Sequence, residues 1–221
     1  MKFSEMIQKR ILIVDAYRNF RETIKQILII NGAKRIDFSS SSQDALGRCK
    51  DVEFDIILMG YDMGEDKKNG QQVLEELRVD GYLKRTAIVI LITGELSQEM
   101  VLCALEHKPD AYLAKPFTSK GLISRIESCY LKKIIMSEIY QAMDEGNHQL
   151  AIKFCDQQLR SKSKYASECL GIKSRQLFEL GRHTEAMAIY QAKIDDPNCQ
   201  WASVGIGKIM LLQGDAEKAI P

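Results

Sequence analysis

The 221-residue sequence lacks several features that mark specialised classes of protein. It has 31 basic and 30 acidic residues, so it has no basic surplus of the kind that nucleic-acid-binding domains carry. Its longest apolar runs are far shorter than the ~20 residues that a membrane helix needs. No apolar segment precedes the recurring charges of the N-terminus, which argues against a signal peptide. We therefore expect a cytoplasmic protein that binds neither nucleic acid nor membrane.

Cysteine spacing typical of a metal site is also missing. No two cysteines form a CxxC pair, and none of the three histidines stands near them at ligand spacing. The pattern predicts reduced, mostly buried thiols and no zinc site. The six cysteines are Cys49, Cys103, Cys129, Cys155, Cys169 and Cys199.

What the first 130 residues do contain is an alternation of strand-like and helix-like segments. Short apolar runs, of which 35–38 is the weakest, have the character of buried parallel strands; they lie at 11–14, 35–38, 55–59, 87–92 and 111–113. Apolar residues at helical spacing follow each run. The last of these helices is expected to turn its apolar residues, from Leu122 to Ile135, toward the core. The alternation predicts a doubly wound α/β domain with a five-stranded parallel sheet.

In such a sheet, functional residues gather where the strands end at their carboxyl termini. This rule selects candidate site residues before any family is considered. They are Asp15 and Ala16 after the first strand, Gly60 after the third, Thr93 after the fourth and Lys115 after the fifth.

Three motifs in register on this pattern give residues 10–131 a family resemblance. They are ILIVD at 11–15, TG at 93–94 and YLAKPF at 112–117, with Lys115 standing 22 positions after Thr93. Together they resemble the receiver domain of response regulators, which has a flavodoxin-like fold. Residues 1–9 would then be an N-terminal extension.

The resemblance implies phosphoryl transfer from a histidine kinase to an aspartate at the end of the third strand. In the family, an acidic pair after the first strand and the acceptor itself hold Mg²⁺, while a threonine and a lysine bind the phosphoryl oxygens. Asp15 matches the first acid, and Thr93 and Lys115 match the phosphoryl-binding pair. Tyr112 matches the switch aromatic. This sequence departs from the pattern at two places, which are Ala16 at the second acid and Gly60 at the acceptor position.

These departures predict a pseudo-receiver. With one of three carboxylates left, we expect no catalysis, no cofactor and no metal site beyond weak Mg²⁺ binding at Asp15, where Lys115 would pair with Asp15 or water. The alternative is a phosphorylation-competent regulator whose acceptor is displaced to Asp62. One sequence also leaves open that Gly60 is an engineered replacement of aspartate, although that would not account for Ala16.

The second half, 132–221, has only helical patterning and repeats. Glycines at inter-helix turns stand 35 and 33 residues apart, and an alanine follows five residues after each. A period near 34 with these residues resembles the tetratricopeptide repeat, in which a small residue allows two helices to cross closely. We expect about 2.5 all-α helical hairpins, the last interrupted at Pro221 by truncation. The repeat residues are Gly146, Ala151, Gly181, Ala186, Gly214 and Ala219.

Together the two halves predict an adaptor of two-component signalling. Tetratricopeptide arrays offer a concave groove to protein partners. Receivers commonly dimerise or bind proteins through the face made by the fourth helix, fifth strand and fifth helix, roughly residues 96–130 here. We therefore expect protein partners at both surfaces, and a homodimer is one arrangement that the second surface would give.

Overall fold

The computed structural model describes residues 8–64, 68–94, 108–197 and 199–214. The chain divides into two compact units, Met1–Ile135 and Met136–Pro221. The boundary therefore falls four residues later than the one drawn from the sequence, between 131 and 132. Helices are numbered here among the described residues only, and no described helix is long and apolar enough to cross a membrane.

The first unit is an α/β domain with a single parallel sheet. Its strands lie in the order β2-β1-β3-β4-β5, and every neighbouring pair is parallel. This confirms the predicted five-stranded sheet. The elements are β1 (Arg10–Val14), α1 (Arg18–Ile30), β2 (Arg35–Ser39), α2 (Ser42–Asp51), β3 (Ile56–Gly60), α3 (Gly70–Val79), β4 (Ile88–Thr93), β5 (Ala111–Ala114) and α4 (Ser119–Ile135). The helix predicted after the fourth strand lies in 95–107, outside the described residues.

Both faces of the sheet are covered, which is why its central strands are apolar along their whole length. Successive residues of β1 belong to opposite faces: Ile11 and Ile13 pack in one cluster, Leu12 and Val14 in the other. The first cluster also holds residues of α1 and α4, and the second holds residues of α2 and α3. All five residues of β3 are buried, so its last residue, Gly60, still lies inside the fold.

The C-terminal turn of α4 differs from its prediction. Ile134 and Ile135 are exposed, at 50% and 40%, whereas Lys133 is buried. The Lys133 Nζ lies 2.7 Å from Asp110 Oδ1 and donates to the carbonyl of Arg85 at 2.6 Å. Burial lowers the pKa of Lys133, and the Asp110 carboxylate opposes that shift. An ion pair therefore takes the inward position at this end of the helix, where an isoleucine was expected.

The second unit is helical throughout its described residues. Its helices are α5 (Ser137–Asp144), α6 (His148–Arg160), α7 (Ala166–Glu179), α8 (His183–Gln191) and α9 (Trp201–Leu212). The turn glycines Gly146, Gly181 and Gly214 have φ of 67°, 72° and 83°, the left-handed conformation in which glycine ends helices. The helical prediction is confirmed, and the tetratricopeptide assignment stays a prediction.

Small residues lie where these helices approach one another. Ala151 and Ala186 are fully buried, while Ala219 lies outside the described residues. Gly205 lies under the ring of Tyr190, and Gly171 lies under the indole of Trp201, where an added Cβ would be 3.0 Å from the nearest ring carbon. These close approaches explain why glycine occurs inside two helices, where it costs roughly 1 kcal/mol relative to alanine.

Candidate functional site

The fold brings four of the residues selected from the sequence to one edge of the sheet. Asp15 directly follows β1, Gly60 ends β3, Thr93 ends β4 and Lys115 directly follows β5. The register pairs Gly60 with Ile92 and Thr93 with Ala114, so the strands end within one residue of each other. Their carboxyl termini thus form one rim.

Asp15 is the centre of this rim, and both of its carboxylate oxygens are bonded. The side chain is 1% exposed. Its Oδ1 accepts from the backbone N–H of Tyr17 at 2.8 Å, and its Oδ2 accepts from Lys115 Nζ at 3.1 Å. The same ammonium lies 3.5 Å from the ring centroid of Phe20, which packs edge-on against Phe117. Carboxylate and π-face therefore both stabilise the charge of Lys115.

Gly60 and the Asp15 carboxylate lie in close contact. A Cβ added at Gly60 would be 2.9 Å from Asp15 Oδ2 and 3.1 Å from the carbonyl oxygen of Asp62. The first distance is shorter than side-chain carbons adopt. A side chain at position 60 therefore requires the Asp15 carboxylate to shift.

Ala16 lies in the loop after β1 and Asp62 in the loop after β3, and their side chains make separate contacts. Asp62 is exposed, and its Oδ1 accepts from the N–H of Gly64 at 2.8 Å, as in an Asx turn. Gly64 has φ of 73°, and a Cβ there would be 3.4 Å from the methyl of Ala16. The side chain of Asp62 therefore stabilises its own turn, while its carbonyl is the group on the Gly60 side.

Thr93 and Tyr112 complete the predicted set. Thr93 is 5% exposed, and its carbonyl accepts from the N–H of Lys115 at 2.7 Å, which fixes the backbone that carries the ammonium. Tyr112 is half-buried on β5 and packs against the cluster formed with α2 and α3. Tyr112 thus lies against one face of the sheet, next to the rim.

The resemblance implies that Mg²⁺ binds at this rim, and the side chains there decide whether it fits. Mg²⁺ requires near-octahedral oxygen ligands, of which the protein usually supplies one or two carboxylates and water or phosphate supplies the rest. Here the one buried carboxylate is bonded to an ammonium and an amide, and Ala16 and Gly60 supply no side-chain oxygen. No cluster of three metal-ligating His, Cys, Asp or Glu side chains occurs in the described parts of the chain. These residues do not fit a Mg²⁺ site.

Sequence reasoning missed two partners of this rim, Phe20 and Arg21; the guanidinium of Arg21 donates to the carbonyls of Asp15 and Ala16. Phe20 has the spacing of a core residue of α1, and nothing in the pattern distinguishes it from Ile24 or Leu28. Its position five residues after Asp15 is the available signal, because the first turn of α1 lies directly above the rim. An aromatic residue there can reach the lysine that follows β5.

Comparison with known proteins assigns the first unit. The response regulator receiver domain family matches residues 11–127. The chain belongs to this family. Among curated proteins, the receiver is similar to chemotaxis protein CheY-3 of Vibrio cholerae, with 27% identity over 121 residues, 55% of this chain and 91% of the relative. It is equally similar to chemotaxis protein CheY of Pseudomonas aeruginosa, with 27% identity over 121 residues, 55% of this chain and 95% of that protein.

Solved structures give the same assignment. A CheY-like receiver domain protein from Methanospirillum hungatei superposes with a TM-score of 0.50 at 25% identity, over 57% of this chain and 95% of its own. These matches cover the receiver. The helical unit that begins at Met136 lies beyond the residues that the family matches.

Proposed function

We propose that this chain is an adaptor of two-component (phosphorelay) signalling, with a receiver that takes no phosphoryl group at position 60 and a helical unit that binds a protein partner. The observation that carries the proposal is the closed pair of Asp15 and Lys115 beside Gly60. In this proposal the protein is cytoplasmic and acts by binding partners, not as an enzyme.

Phosphorylation of a receiver needs a carboxylate oxygen that can attack phosphorus. Gly60 has none, and Asp15 is a poor substitute because it is 1% exposed and both oxygens already accept hydrogen bonds. Charge on a transferring phosphoryl group also needs a cation. The ammonium of Lys115 is already paired with Asp15, and the guanidinium of Arg21 donates to the carbonyls of Asp15 and Ala16.

The displaced acceptor, Asp62, has less support from the geometry. Its side chain is exposed, and its Oδ1 accepts from the N–H of Gly64. Attack on phosphorus would require this carboxylate to leave that turn and to work without the second acid of the family's pair, which is Ala16 here. We therefore keep Asp62 as an outcome of the test.

The adaptor role of the second unit is supported by its repeated construction. Three left-handed glycine turns and two fully buried alanines recur at matching positions, and consecutive helices pack against each other. Stacked hairpins of this kind are used to bind proteins along an extended concave surface. A second surface for partners, or for a second copy of the chain, is the side of the receiver that includes β5 and α4, although 95–107 lie outside the described residues.

The experiment is labelling with radioactive acetyl phosphate and Mg²⁺. We expect no label in the natural chain or in Ala16→Asp, and label in Gly60→Asp combined with Ala16→Asp. Asp62→Asn in the doubly changed chain is the matched control and should keep the label. Label in the natural chain that disappears in Asp62→Asn would overturn the proposal in favour of the displaced acceptor.

A further inference from the structure

Three sulfur atoms meet in the core of the helical unit. Met136 precedes α5, Cys155 lies on α6 and Cys169 lies on α7, and all three side chains are 0% exposed. The Cys169 Sγ lies 3.7 Å from the Met136 Sδ. Cys155 packs in the same buried cluster as Cys169 and Met136. Residues far apart in sequence thus bring two thiols and one thioether together.

The surroundings of the three sulfurs are apolar. They belong to one buried cluster that also contains Ile139, Tyr140 and Ile172. The neighbouring charges are occupied elsewhere: Lys173 bonds Asp156 at 2.6 Å, and Glu168 accepts from the hydroxyl of Tyr140 at 3.0 Å. Sulfur is therefore the ligand type that this part of the core offers to an ion.

The separation of the Cys169 and Met136 sulfurs suits coordination of one ion. With metal–sulfur bonds of about 2.3 Å, sulfurs in a trigonal arrangement stand about 4 Å apart. The measured 3.7 Å between Cys169 and Met136 is close to that value. A disulfide between Cys155 and Cys169 would leave the thioether without a role, whereas a thioether is a ligand for soft ions.

We propose that Met136, Cys155 and Cys169 form a binding site for a soft monovalent metal ion of the Cu(I) class. Thiolate and thioether donors select Cu(I) over the harder divalent ions. Binding forms three metal–sulfur bonds, and the thiol protons that the metal displaces go to solvent. The oxidation state of the ion and of the sulfurs does not change.

Burial dictates how the ion would enter. Because all three side chains are 0% exposed, an ion reaches them only when the packing of α6 and α7 opens locally or before the unit folds. Loading should then be slow. A bound ion should also stabilise the helical unit, because the folded state holds the three sulfurs together and so binds the ion more tightly than the unfolded chain does.

The test is titration of the full chain with Cu(I) under anaerobic conditions, in competition with a chromogenic Cu(I) chelator. We expect one tightly held ion per chain, with sulfur neighbours in its X-ray absorption spectrum, and loss of that ion in Cys169→Ser. Met136→Leu should bind at least tenfold more weakly, since even the loss of outer-shell partners costs metal sites about 10- to 100-fold in affinity.

Two controls separate the site from general thiol binding. Met143 packs against the same cluster, so Met143→Leu perturbs the same core without removing a ligand. Cys129 is a buried thiol of the receiver, where burial raises its pKa to about 11, and Cys129→Ser should leave the tight ion in place. Far-UV circular dichroism checks that each variant is folded.

Each outcome decides the proposal. Equal affinities in Met136→Leu and Met143→Leu would overturn the three-sulfur site. Oxidation of Cys155 and Cys169 to a disulfide, with the ion left free, would overturn it in favour of a redox pair. Retention of the ion in Cys169→Ser would overturn it in favour of other thiols.

Discussion

Each end of the receiver sheet carries an aspartate–lysine ion pair, and the two pairs differ in how far water reaches the lysine. At the carboxyl ends of the strands, Asp15 is 1% exposed and Lys115 is 31% exposed. At the opposite end, the side chains of Asp110 and Lys133 are both 8% exposed. The first lysine can turn toward water, whereas the second cannot without moving α4. The two pairs thus use the same chemistry with different freedom.

The bonds around each pair show the same difference. Asp110 accepts from the N–H of Val89 at 2.9 Å, and Lys133 donates to the carbonyl of Arg85, so each partner is also bonded to the backbone. At the rim, Asp15 has a backbone partner, and Lys115 instead faces the ring of Phe20. The pair at the amino ends is therefore fixed from both sides. The pair at the rim is fixed from the aspartate side.

The largest expected effect is at the enclosed pair. Lys133→Met should destabilise the receiver by about 3–5 kcal/mol, because it leaves the carboxylate of Asp110 buried without its counter-charge. Hydrogen exchange of the strand amides measures this, since the one tryptophan, Trp201, lies in the helical unit. The double change with Asp110→Asn should recover much of the loss. An equal loss in the double variant would show that packing, and not charge, dominates.

At the rim we expect the loss of the lysine to cost more stability than the loss of the aspartate, a difference that we do not expect at the enclosed pair. Lys115→Met should cost about 2–3 kcal/mol, because Asp15 remains buried with one amide partner. Asp15→Asn should cost about 1 kcal/mol, since the amide still accepts from Tyr17 and the lysine can turn to solvent. The same strand amides report both values. Equal costs would mean that Lys115 is as constrained as Lys133.

A smaller effect is expected from filling the space beside Asp15. Gly60→Ala should destabilise the receiver by about 1–2 kcal/mol, because its Cβ meets the Asp15 carboxylate. Gly47→Ala is the matched control on the exposed side of α2, where a Cβ meets nothing within 4 Å and should stabilise by about 0.4–1 kcal/mol. The chemical shift of the Lys115 ammonium should change in the first variant alone. Stabilisation by both changes would contradict the crowding at Gly60.

The smallest effect is expected at the aromatic partner of Lys115. Phe20→Leu keeps an apolar residue against the core and removes the π-face, at a cost of about 0.5–1 kcal/mol. The measurement is a double-mutant cycle with Lys115→Met, in which the cation–π contact appears as the coupling energy. Additive effects of the two changes would show that the ring contributes packing alone.

The sheet could be predicted from sequence because its physical cause is local. A strand covered on both faces must be apolar along its whole length, and the runs in β1, β3 and β4 meet that condition. The strand ends then located Asp15, Gly60, Thr93 and Lys115, since parallel strands end at one edge.

The features of the fold that could not be predicted are those that depend on the direction in which a side chain points. The apolar pattern of α4 gave no sign that Lys133 points inward while Ile134 and Ile135 do not. A buried lysine is stable only beside a partner such as Asp110, and that partner lies 23 positions earlier in the sequence. The close contact between the Asp15 carboxylate and Gly60 was likewise not predictable, because it depends on atoms from two strands.

The contacts of Gly60 and Gly64 have an evolutionary consequence. A Cβ at Gly60 meets the Asp15 carboxylate across the rim, whereas at Gly64 a φ of 73° strains any side chain. The effect of an aspartate at position 60 would therefore depend on the residue at 15. An aspartate introduced at position 60 alone would be less stable, so this epistasis would tend to preserve the present rim over generations.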